Sequence, residues 1–258
     1  MIARHIPRFV APAVVTVSGV SASVLASAIP FASADQCRDV QVVFARGTDD
    51  PPGVGPTGQA FIDSLGPRIG AKSLDVYPVS YPATHDWTNA GKDGIRDAGA
   101  HVVSMAHDCP NTKMVLGGYS QGAAVIGFIT SAAVPNGIDP ATVPKPLAPE
   151  VANHVSSVVL FALPSDKAMN FFGEPPVVIG PLYQAKTIQV CAPQDPICSD
   201  GMNFVAHDTY STNSAMIDQG AAFAASRLGG GPGGPAGAGP GAPTTVLGSS
   251  SPGGEFGS

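Results

Sequence analysis

The chain has 258 residues, of which 44% are hydrophobic, and a formal net charge of −6 at pH 7. This acidic balance argues against a nucleic-acid partner, because phosphate binding needs clustered basic residues. The length and the apolar content allow one domain with a sizeable core.

The amino-terminal segment, residues 1–34, has the pattern of a secretory signal peptide. It carries Arg4 and Arg8 without any acidic residue, then a weakly apolar stretch, then Ala-Ser-Ala before Asp35. Prolines and serines interrupt the apolar stretch, which argues against the alternative, a retained membrane anchor. We therefore expect cleavage, a mature chain with a net charge of about −8, and a secreted protein, extracellular or loosely associated with the cell wall.

The carboxyl-terminal segment, residues 229–258, is rich in glycine and proline and holds almost nothing that a core could bury. Such a composition cannot offset the entropy cost of ordering, so we expect a disordered tail. The domain is accordingly predicted over residues 35–228, and we expect it to be a monomer.

Apolar strands and amphipathic helices alternate along this domain. Strands are predicted at residues 40–45, 74–79, 114–117, 155–161 and 187–190. Apolar residues at helical spacing follow the first three strands, and a closing helix is predicted around residues 216–228. This alternation is typical of a three-layer α/β/α fold, here with a central, mainly parallel five-stranded sheet.

The third strand leads into a turn that contains a serine. Residues 117–123 read Gly-Gly-Tyr-Ser-Gln-Gly-Ala, so the pattern Gly-x-Ser-x-Gly lies between a strand and an alanine-rich helix former. In a nucleophile elbow such a turn presents the serine Oγ at the sheet edge, and the glycines relieve the crowding. The pentapeptide alone is weak in a glycine-rich chain, but its context agrees. Ser120 is therefore the candidate nucleophile of a hydrolase.

An activated serine needs a base and a carboxylate that orients the base, and elbow enzymes place them in the order Ser, Asp, His. His207 follows the last strand, whereas His154 precedes a strand and would lie at the wrong end of the sheet. Asp195 is the candidate acid, because it lies in a loop, residues 191–198, that a disulfide and prolines would stiffen. Asp166, which also follows a strand, is the alternative.

Attack by the serine would create an oxyanion, and the sequence offers two hydrogen-bond donors for it. One is the amide of the residue after the nucleophile, Gln121, and the other is Thr48, in the loop after the first strand. Aromatic and apolar residues that follow the second strand or precede the histidine are expected to line an acyl groove: Tyr81, Trp87, Met202, Phe204 and Val205.

The four cysteines, Cys37, Cys109, Cys191 and Cys198, fit an exported protein with two disulfides. Three pairings are possible, and the closeness of Cys191 to Cys198 favours a bridge between them, which would leave Cys37 for Cys109. No Cys-x-x-Cys pair occurs, which argues against a zinc site. We expect no metal and no cofactor.

These motifs together resemble the cutinase family, in particular the cutinase-like proteins secreted by mycobacteria. The matching elements are Val-Phe-Ala-Arg-Gly-Thr at 43–48, the elbow at 117–123, the Cys-x3-Asp-Pro-x-Cys loop at 191–198, and His207 with Tyr210. The resemblance implies a small α/β hydrolase with Ser120, Asp195 and His207 as its triad. It also implies the oxyanion donors and the two disulfides given above.

Two features depart from the family pattern. The compact enzymes lack the glycine- and proline-rich tail, and the run at 169–183, rich in Phe, Pro and Val, could cover the site as a flap. The leading hypothesis is a secreted serine esterase or lipase that cleaves fatty-acyl esters through an acyl-enzyme intermediate. The alternatives are an acyltransferase acting on envelope lipids or sugars, and a non-catalytic wall-associated protein.

Overall fold

A computed structural model describes residues 37–229, so the predicted signal peptide and all but the first residue of the predicted tail lie outside the described residues. Within this range five strands form one sheet. They are β1 (Val40–Ala45), β2 (Leu74–Pro78), β3 (Lys113–Tyr119), β4 (Val155–Phe161) and β5 (Thr187–Val190). Their order is β2-β1-β3-β4-β5, and every neighbouring pair is parallel. The predicted α/β fold is confirmed.

Helices cover both faces of the sheet. On one face lie α1 (Gly55–Leu65) and α7 (Ser214–Arg227), and on the other lie α2 (Trp87–Asp108) and α3 (Gln121–Ile129). Three short helices, α4 (Asp166–Phe171), α5 (Pro181–Gln184) and α6 (Phe204–His207), lie in the connections that follow β4 and β5. None of the helices in the described range is long and apolar enough to cross a membrane.

The central strands are buried on both faces, which explains their nearly continuous apolar sequence. Along β1, Val42 and Phe44 pack towards α1, whereas Val43 and Ala45 pack towards the helices of the opposite face. All six residues of β1 are buried. Because side chains on a strand point alternately to the two faces, a shift of one residue would move every buried side chain to the opposite face. The alternation therefore fixes the register of the sheet.

Both disulfides that the sequence analysis favoured are present. Cys37 is bonded to Cys109, which joins the chain before β1 to the end of α2, and Cys191 is bonded to Cys198 in the loop after β5. The second bridge closes a loop of only a few residues, with a sequence separation of 7. It therefore restrains the segment that connects β5 to the functional site.

Candidate active site

Ser120 lies in a strained turn between β3 and α3. Its backbone has φ 53° and ψ −118°, a region that non-glycine residues rarely adopt. A Cβ at Gly118 would collide with the carbonyl group of Gly122, and a Cβ at Gly122 would collide with the carbonyl oxygen of Ala45. The two glycines therefore let α3 start directly against the strands, and this close approach aims Ser120 away from the sheet.

Two hydrogen bonds connect Ser120, His207 and Asp195. The Nε2 atom of His207 lies 3.0 Å from Ser120 Oγ, and its Nδ1 atom lies 2.9 Å from Asp195 Oδ2. The serine follows β3, and the other two residues follow β5, so all three meet at the carboxyl edge of the parallel sheet. This is the arrangement that activates a serine hydroxyl in hydrolases.

Asp195 is completely buried and fully hydrogen-bonded. Oδ1 accepts from the backbone N–H of Ile197 at 2.8 Å, and Oδ2 accepts from the hydroxyl of Tyr210 at 2.8 Å as well as from His207. Burial alone would raise the pKa of Asp195, but these hydrogen bonds, led by the one from His207, outweigh it and hold the pKa below its ordinary value. The carboxylate is therefore ionised at neutral pH.

His207 is held from two further sides. It ends α6, where its carbonyl oxygen accepts a 2.5 Å hydrogen bond from the hydroxyl of Tyr119. The rings of Tyr119 and His207 are stacked, with centroids 5.2 Å apart. The tyrosine that precedes the nucleophile thus restrains the backbone and the ring of the histidine, a role that the sequence analysis did not assign to it.

The expected oxyanion donors are Thr48, in the loop after β1, and Gln121, which directly follows Ser120 in the chain. Thr48 lines the cleft beside the serine, and its Oγ1 is buried with no hydrogen-bond partner among residues 37–229. Gln121 is the first residue of α3, and its side-chain Nε2 donates to the carbonyl of Thr84 at 2.9 Å. That contact fixes the start of the helix, where backbone N–H groups are free to bind an anion.

The loop that carries Thr48 is braced by Arg46. Its guanidinium donates to the carbonyl oxygens of Asp50, at 3.0 Å, and of Tyr81, at 2.7 Å. The carboxylate of Asp50 accepts from the backbone N–H of Gly47, and burial raises the pKa of Asp50. Arg46 is 7% exposed, so these contacts give it a structural role.

A cleft of about 240 Å³ opens over the serine. Its lining residues come from the loops after β1 and β2, the end of β3, the segment after α4, and the segments around the histidine: Thr48, Asp50, His85, Trp87, Tyr119, Ser120, Phe172, Ile197, His207 and Asp208. His85 and Phe172 lie in segments that the sequence had marked as possible neighbours of the site, whereas Asp50 was not expected there. Nothing in the local sequence marks Asp50, because its loop reaches the cleft only through tertiary packing.

The five residues expected to form the acyl groove have three different positions. Trp87 lines the cleft. Tyr81 is 6% exposed and does not line it, because its hydroxyl turns inward to the carbonyl of Arg46. Met202, Phe204 and Val205 are 76%, 65% and 71% exposed, on the segment that leads to His207. These three form an apolar rim outside the cleft rather than part of its wall.

The alternatives considered for the acid and the base lie away from the serine. Asp166 is the exposed first residue of α4, and His154 is half-buried with its Nδ1 3.0 Å from the carbonyl of Pro110, near the amino end of the sheet. Only the beginning of the run at 169–183 reaches the cleft, through Phe172. In the later part of this run, the backbone N–H of Gly180 donates to the carbonyl of Thr130, and this hydrogen bond attaches the run to the end of α3.

No cluster of three His, Cys, Asp or Glu side chains suited to a metal occurs in the part of the chain that the structure describes. The parallel sheet, the elbow and the Ser-His-Asp hydrogen bonds define an α/β hydrolase. The chain belongs to the cutinase family, because the family model Cutinase matches residues 36–228.

Relatives within this family carry esterase names. The chain is 56% identical over 169 residues to the probable carboxylesterase Culp5 of Mycobacterium tuberculosis H37Rv, covering 66% of this chain and 95% of that protein. It is 47% identical over 199 residues to the carboxylesterase Culp1 of the same strain, covering 76% and 85%. The chain is thus a cutinase-like carboxylic ester hydrolase of the mycobacterial type.

Solved structures agree with this assignment. A Trichoderma reesei cutinase in complex with a phosphonate inhibitor is 34% identical, with a TM-score of 0.56 over 74% of this chain and 77% of that chain. An acetylxylan esterase is 23% identical, with a TM-score of 0.60 over 74% of this chain and 99% of that chain, and so supports the fold alone.

Proposed function

We propose that the protein hydrolyses fatty-acyl esters through a covalent acyl-enzyme formed on Ser120. The observation that carries this proposal is the pair of hydrogen bonds that links Ser120 Oγ through His207 to the buried Asp195. An ionised carboxylate only accepts, so Nδ1 of His207 carries the proton that faces Asp195. Nε2 is then free to accept the proton of the serine hydroxyl.

In the first half-reaction Ser120 Oγ attacks the carbonyl carbon of the ester while His207 Nε2 takes the hydroxyl proton. The carbonyl π electrons move to the oxygen, which becomes an oxyanion. The intermediate then collapses, the bond from carbon to the alkoxy oxygen breaks, and the leaving alcohol takes the proton from His207. The serine is left acylated and the histidine neutral.

In the second half-reaction a water molecule attacks the acyl carbon while His207 Nε2 takes its proton. The second tetrahedral intermediate expels Ser120 Oγ, which recovers the proton from His207, and the carboxylic acid leaves. Asp195 stabilises the imidazolium in both halves, because its charge lies next to Nδ1. The two half-reactions need neither a change of oxidation state nor a cofactor.

The oxyanion would be bound by the backbone N–H of Gln121 together with the hydroxyl and the N–H of Thr48. The unpartnered Oγ1 of Thr48 supports this role. A buried hydroxyl without a partner is unfavourable in the resting protein, and an oxyanion would accept its hydrogen bond. The donor is thus held ready before the charge develops.

The proposed substrates are esters of fatty acids, and relatives support this class. One relative, 44% identical over 199 residues, is named phospholipase Culp4, and the T. reesei cutinase was solved with a phosphonate inhibitor. A phosphonate has the tetrahedral shape of the intermediate, so we expect this chain to react with the same class of inhibitor. The exposed apolar rim of Met202, Phe204 and Val205 would face a lipid substrate.

We further propose that the protein is exported and acts outside the cell or loosely bound to its wall, as a monomer. Two disulfides and the absence of free cysteines among the described residues support an oxidising compartment. The signal pattern of residues 1–34 in the sequence supports export.

Rapid-mixing kinetics with p-nitrophenyl butyrate test this function. An acyl-enzyme route predicts a burst of p-nitrophenol equal to the enzyme concentration, followed by a slower steady rate. Hydrolysis of the ester at the wild-type rate by a folded Ser120→Ala variant would contradict the proposal. An added alcohol acceptor distinguishes hydrolysis from the acyltransferase alternative, because acyl transfer would yield a new ester in place of the free acid.

A further inference from the structure

A second cavity, of about 260 Å³, lies beside the cleft on the face of the sheet that α2 and α3 cover. Its walls are formed by α2 at Trp87, Gly91 and Ile95, by the start of α3, by the loop at 133–146, and by residues 169–175. The mechanism proposed above makes no use of this space.

The cavity meets the cleft at Trp87, which lines both. The indole of Trp87 is stacked on the ring of Phe172, with centroids 4.0 Å apart, and Phe172 also lines the cleft. On the opposite side Gln121 lines the cavity, and the preceding residue is the nucleophile Ser120. The two spaces therefore adjoin at the Trp87–Phe172 stack, next to the residues that follow the nucleophile.

The wall of the cavity selects for an apolar occupant. Its lining includes the apolar residues Ile95, Val125 and Phe128. The charged residues that line it cancel, since Lys92 and Lys145 are balanced by Asp139 and Glu174, so neither an anion nor a cation is favoured. Glu174 already accepts a hydrogen bond of 2.5 Å from Thr88 Oγ1.

We propose that this cavity, which we call the distal pocket, binds the part of the substrate's acyl chain that extends beyond the cleft. The inference rests on the proposed esterase function. The distal pocket is smaller than the roughly 300 to 1,000 Å³ typical of sites for drug-sized ligands, so it suits a single unbranched chain. Burial of each methylene contributes about 0.8 kcal/mol, or about fourfold in binding or in kcat/KM. The pocket thus makes the enzyme prefer medium or long chains.

Binding can be measured without catalysis, because Trp87 is the single tryptophan of the chain. A Ser120→Ala protein is titrated with 11-bromoundecanoate, whose bromine quenches indole emission on contact, and with 4-bromobutanoate, which is too short to pass the cleft. The long acid should bind with an apparent Kd at least about tenfold lower than that of the short acid. Equal affinities of the two acids would overturn the proposal that the distal pocket binds the acyl chain.

A substitution that fills the distal pocket tests whether the acyl chain of the ligand binds there. A Cβ added at Gly91 meets no atom within 4 Å, so Gly91→Leu projects into open space and also removes a helix glycine. It should raise the apparent Kd for 11-bromoundecanoate at least about tenfold. Ala100→Leu places the same side chain on an exposed position of α2 outside the pocket and should leave that Kd unchanged.

Unchanged quenching in a folded Gly91→Leu protein would overturn the proposal. Val134→Phe, which narrows the pocket from the loop at 133–146, provides the same comparison should Gly91→Leu fail to fold. In the active enzyme Gly91→Leu should lower the ratio of kcat/KM for p-nitrophenyl decanoate to that for the butyrate at least about tenfold. Because quenching is independent of Ser120, its failure is distinguishable from failure of the proposed acyl-enzyme mechanism.

Discussion

The hydroxyl of Tyr210 donates a 2.8 Å hydrogen bond to Oδ2 of Asp195, the same oxygen that accepts from His207 Nδ1. The hydroxyl also accepts a 2.7 Å hydrogen bond from the backbone N–H of Ala192. Tyr210 is completely buried, and burial raises its pKa, so it remains a proton donor. One side chain therefore connects the closing segment of the domain to the carboxylate that orients the histidine.

Tyr210→Phe should destabilise the protein by about 1 to 3 kcal/mol at pH 7, because it removes a donor to a buried carboxylate and a partner of the Ala192 N–H. The pKa of Asp195 is lowered in the folded protein, so its ionisation contributes stability above the unfolded pKa, and that stability is lost as pH falls through the folded pKa. The variant raises the folded pKa. Its stability deficit should therefore shrink between neutral pH and acid pH.

Urea unfolding of both proteins across this pH range measures the effect. The matched control is Tyr183→Phe, since the Tyr183 hydroxyl is buried and has no partner in the described part of the chain. That variant should lose little stability, and its deficit should not depend on pH in the acid range. A Tyr210→Phe deficit that is constant from neutral to acid pH would contradict the role given to this hydrogen bond.

Thr48→Ala tests the oxyanion donor. Because Thr48 Oγ1 has no hydrogen-bond partner within residues 37–229, its removal should change the free energy of unfolding by less than about 0.5 kcal/mol. The kcat should nevertheless fall by about 10²- to 10³-fold, the effect of removing one oxyanion donor. Thr48→Ser keeps the hydroxyl and should keep most of the activity. Equal activity of the Ala and Ser variants would show that the hydroxyl does not act in catalysis.

The backbone conformation of Ser120 leads to a separate prediction about stability. Its φ of 53° is strained for any residue with a Cβ, so Ser120→Ala keeps the strain and Ser120→Gly relieves it. Both variants should be inactive, and the glycine variant should be more stable than the alanine variant by about 1 kcal/mol. Thermal and urea unfolding of the two proteins measure this difference. An alanine variant that is the more stable of the two would contradict the strained geometry of the elbow.

The short disulfide should matter more for rate than for stability. The bridge from Cys191 to Cys198 spans 7 residues, whereas the bridge from Cys37 to Cys109 spans 72. In the chain-entropy model the longer bridge stabilises by about 2 kcal/mol more. Asp195 lies inside the short loop, so replacing Cys191 and Cys198 by Ser should loosen the carboxylate and lower kcat at least about tenfold.

This comparison uses the folded double mutants of each bridge at a temperature where circular dichroism shows native structure. The Cys37/Cys109 pair serves as the control, because it lies at the start of β1 and the end of α2, away from the cleft. It should lose more stability and less activity. A wild-type kcat in the folded Cys191/Cys198 variant would show that the loop does not position the acid.

The central strands were predictable because they are buried on both faces. The bounds of β1, β4 and β5 match the predicted runs. Nearly every residue of β1 and β4 is buried, so their sequences are mostly apolar, whereas β5 is an edge strand in which Val190 alone is fully buried. The beginning of α2 at Trp87 was not predicted. Its first turns lack a regular apolar stripe, and the helix begins there because Asp86 caps it by accepting from the N–H of Asn89.

The meeting of Ser120, Asp195 and His207 was predictable for a topological reason, because residues that follow parallel strands meet at one edge of the sheet. The inward turn of Tyr81 was not. It depends on Arg46, whose guanidinium lies 5.1 Å from the tyrosine ring centre, and no local pattern records that contact. Likewise, Phe172 reaches the cleft by stacking on Trp87, and the sequence places those two rings far apart.

Labelling with an alkyl fluorophosphonate shows whether Ser120 is the activated nucleophile. Such a reagent phosphonylates only a hydroxyl that a neighbouring base activates. We expect one adduct per molecule of enzyme in the intact mass, its location on Ser120 in the peptide map, and loss of esterase activity in proportion to labelling. An adduct on another residue, or full activity after complete labelling of Ser120, would contradict this assignment.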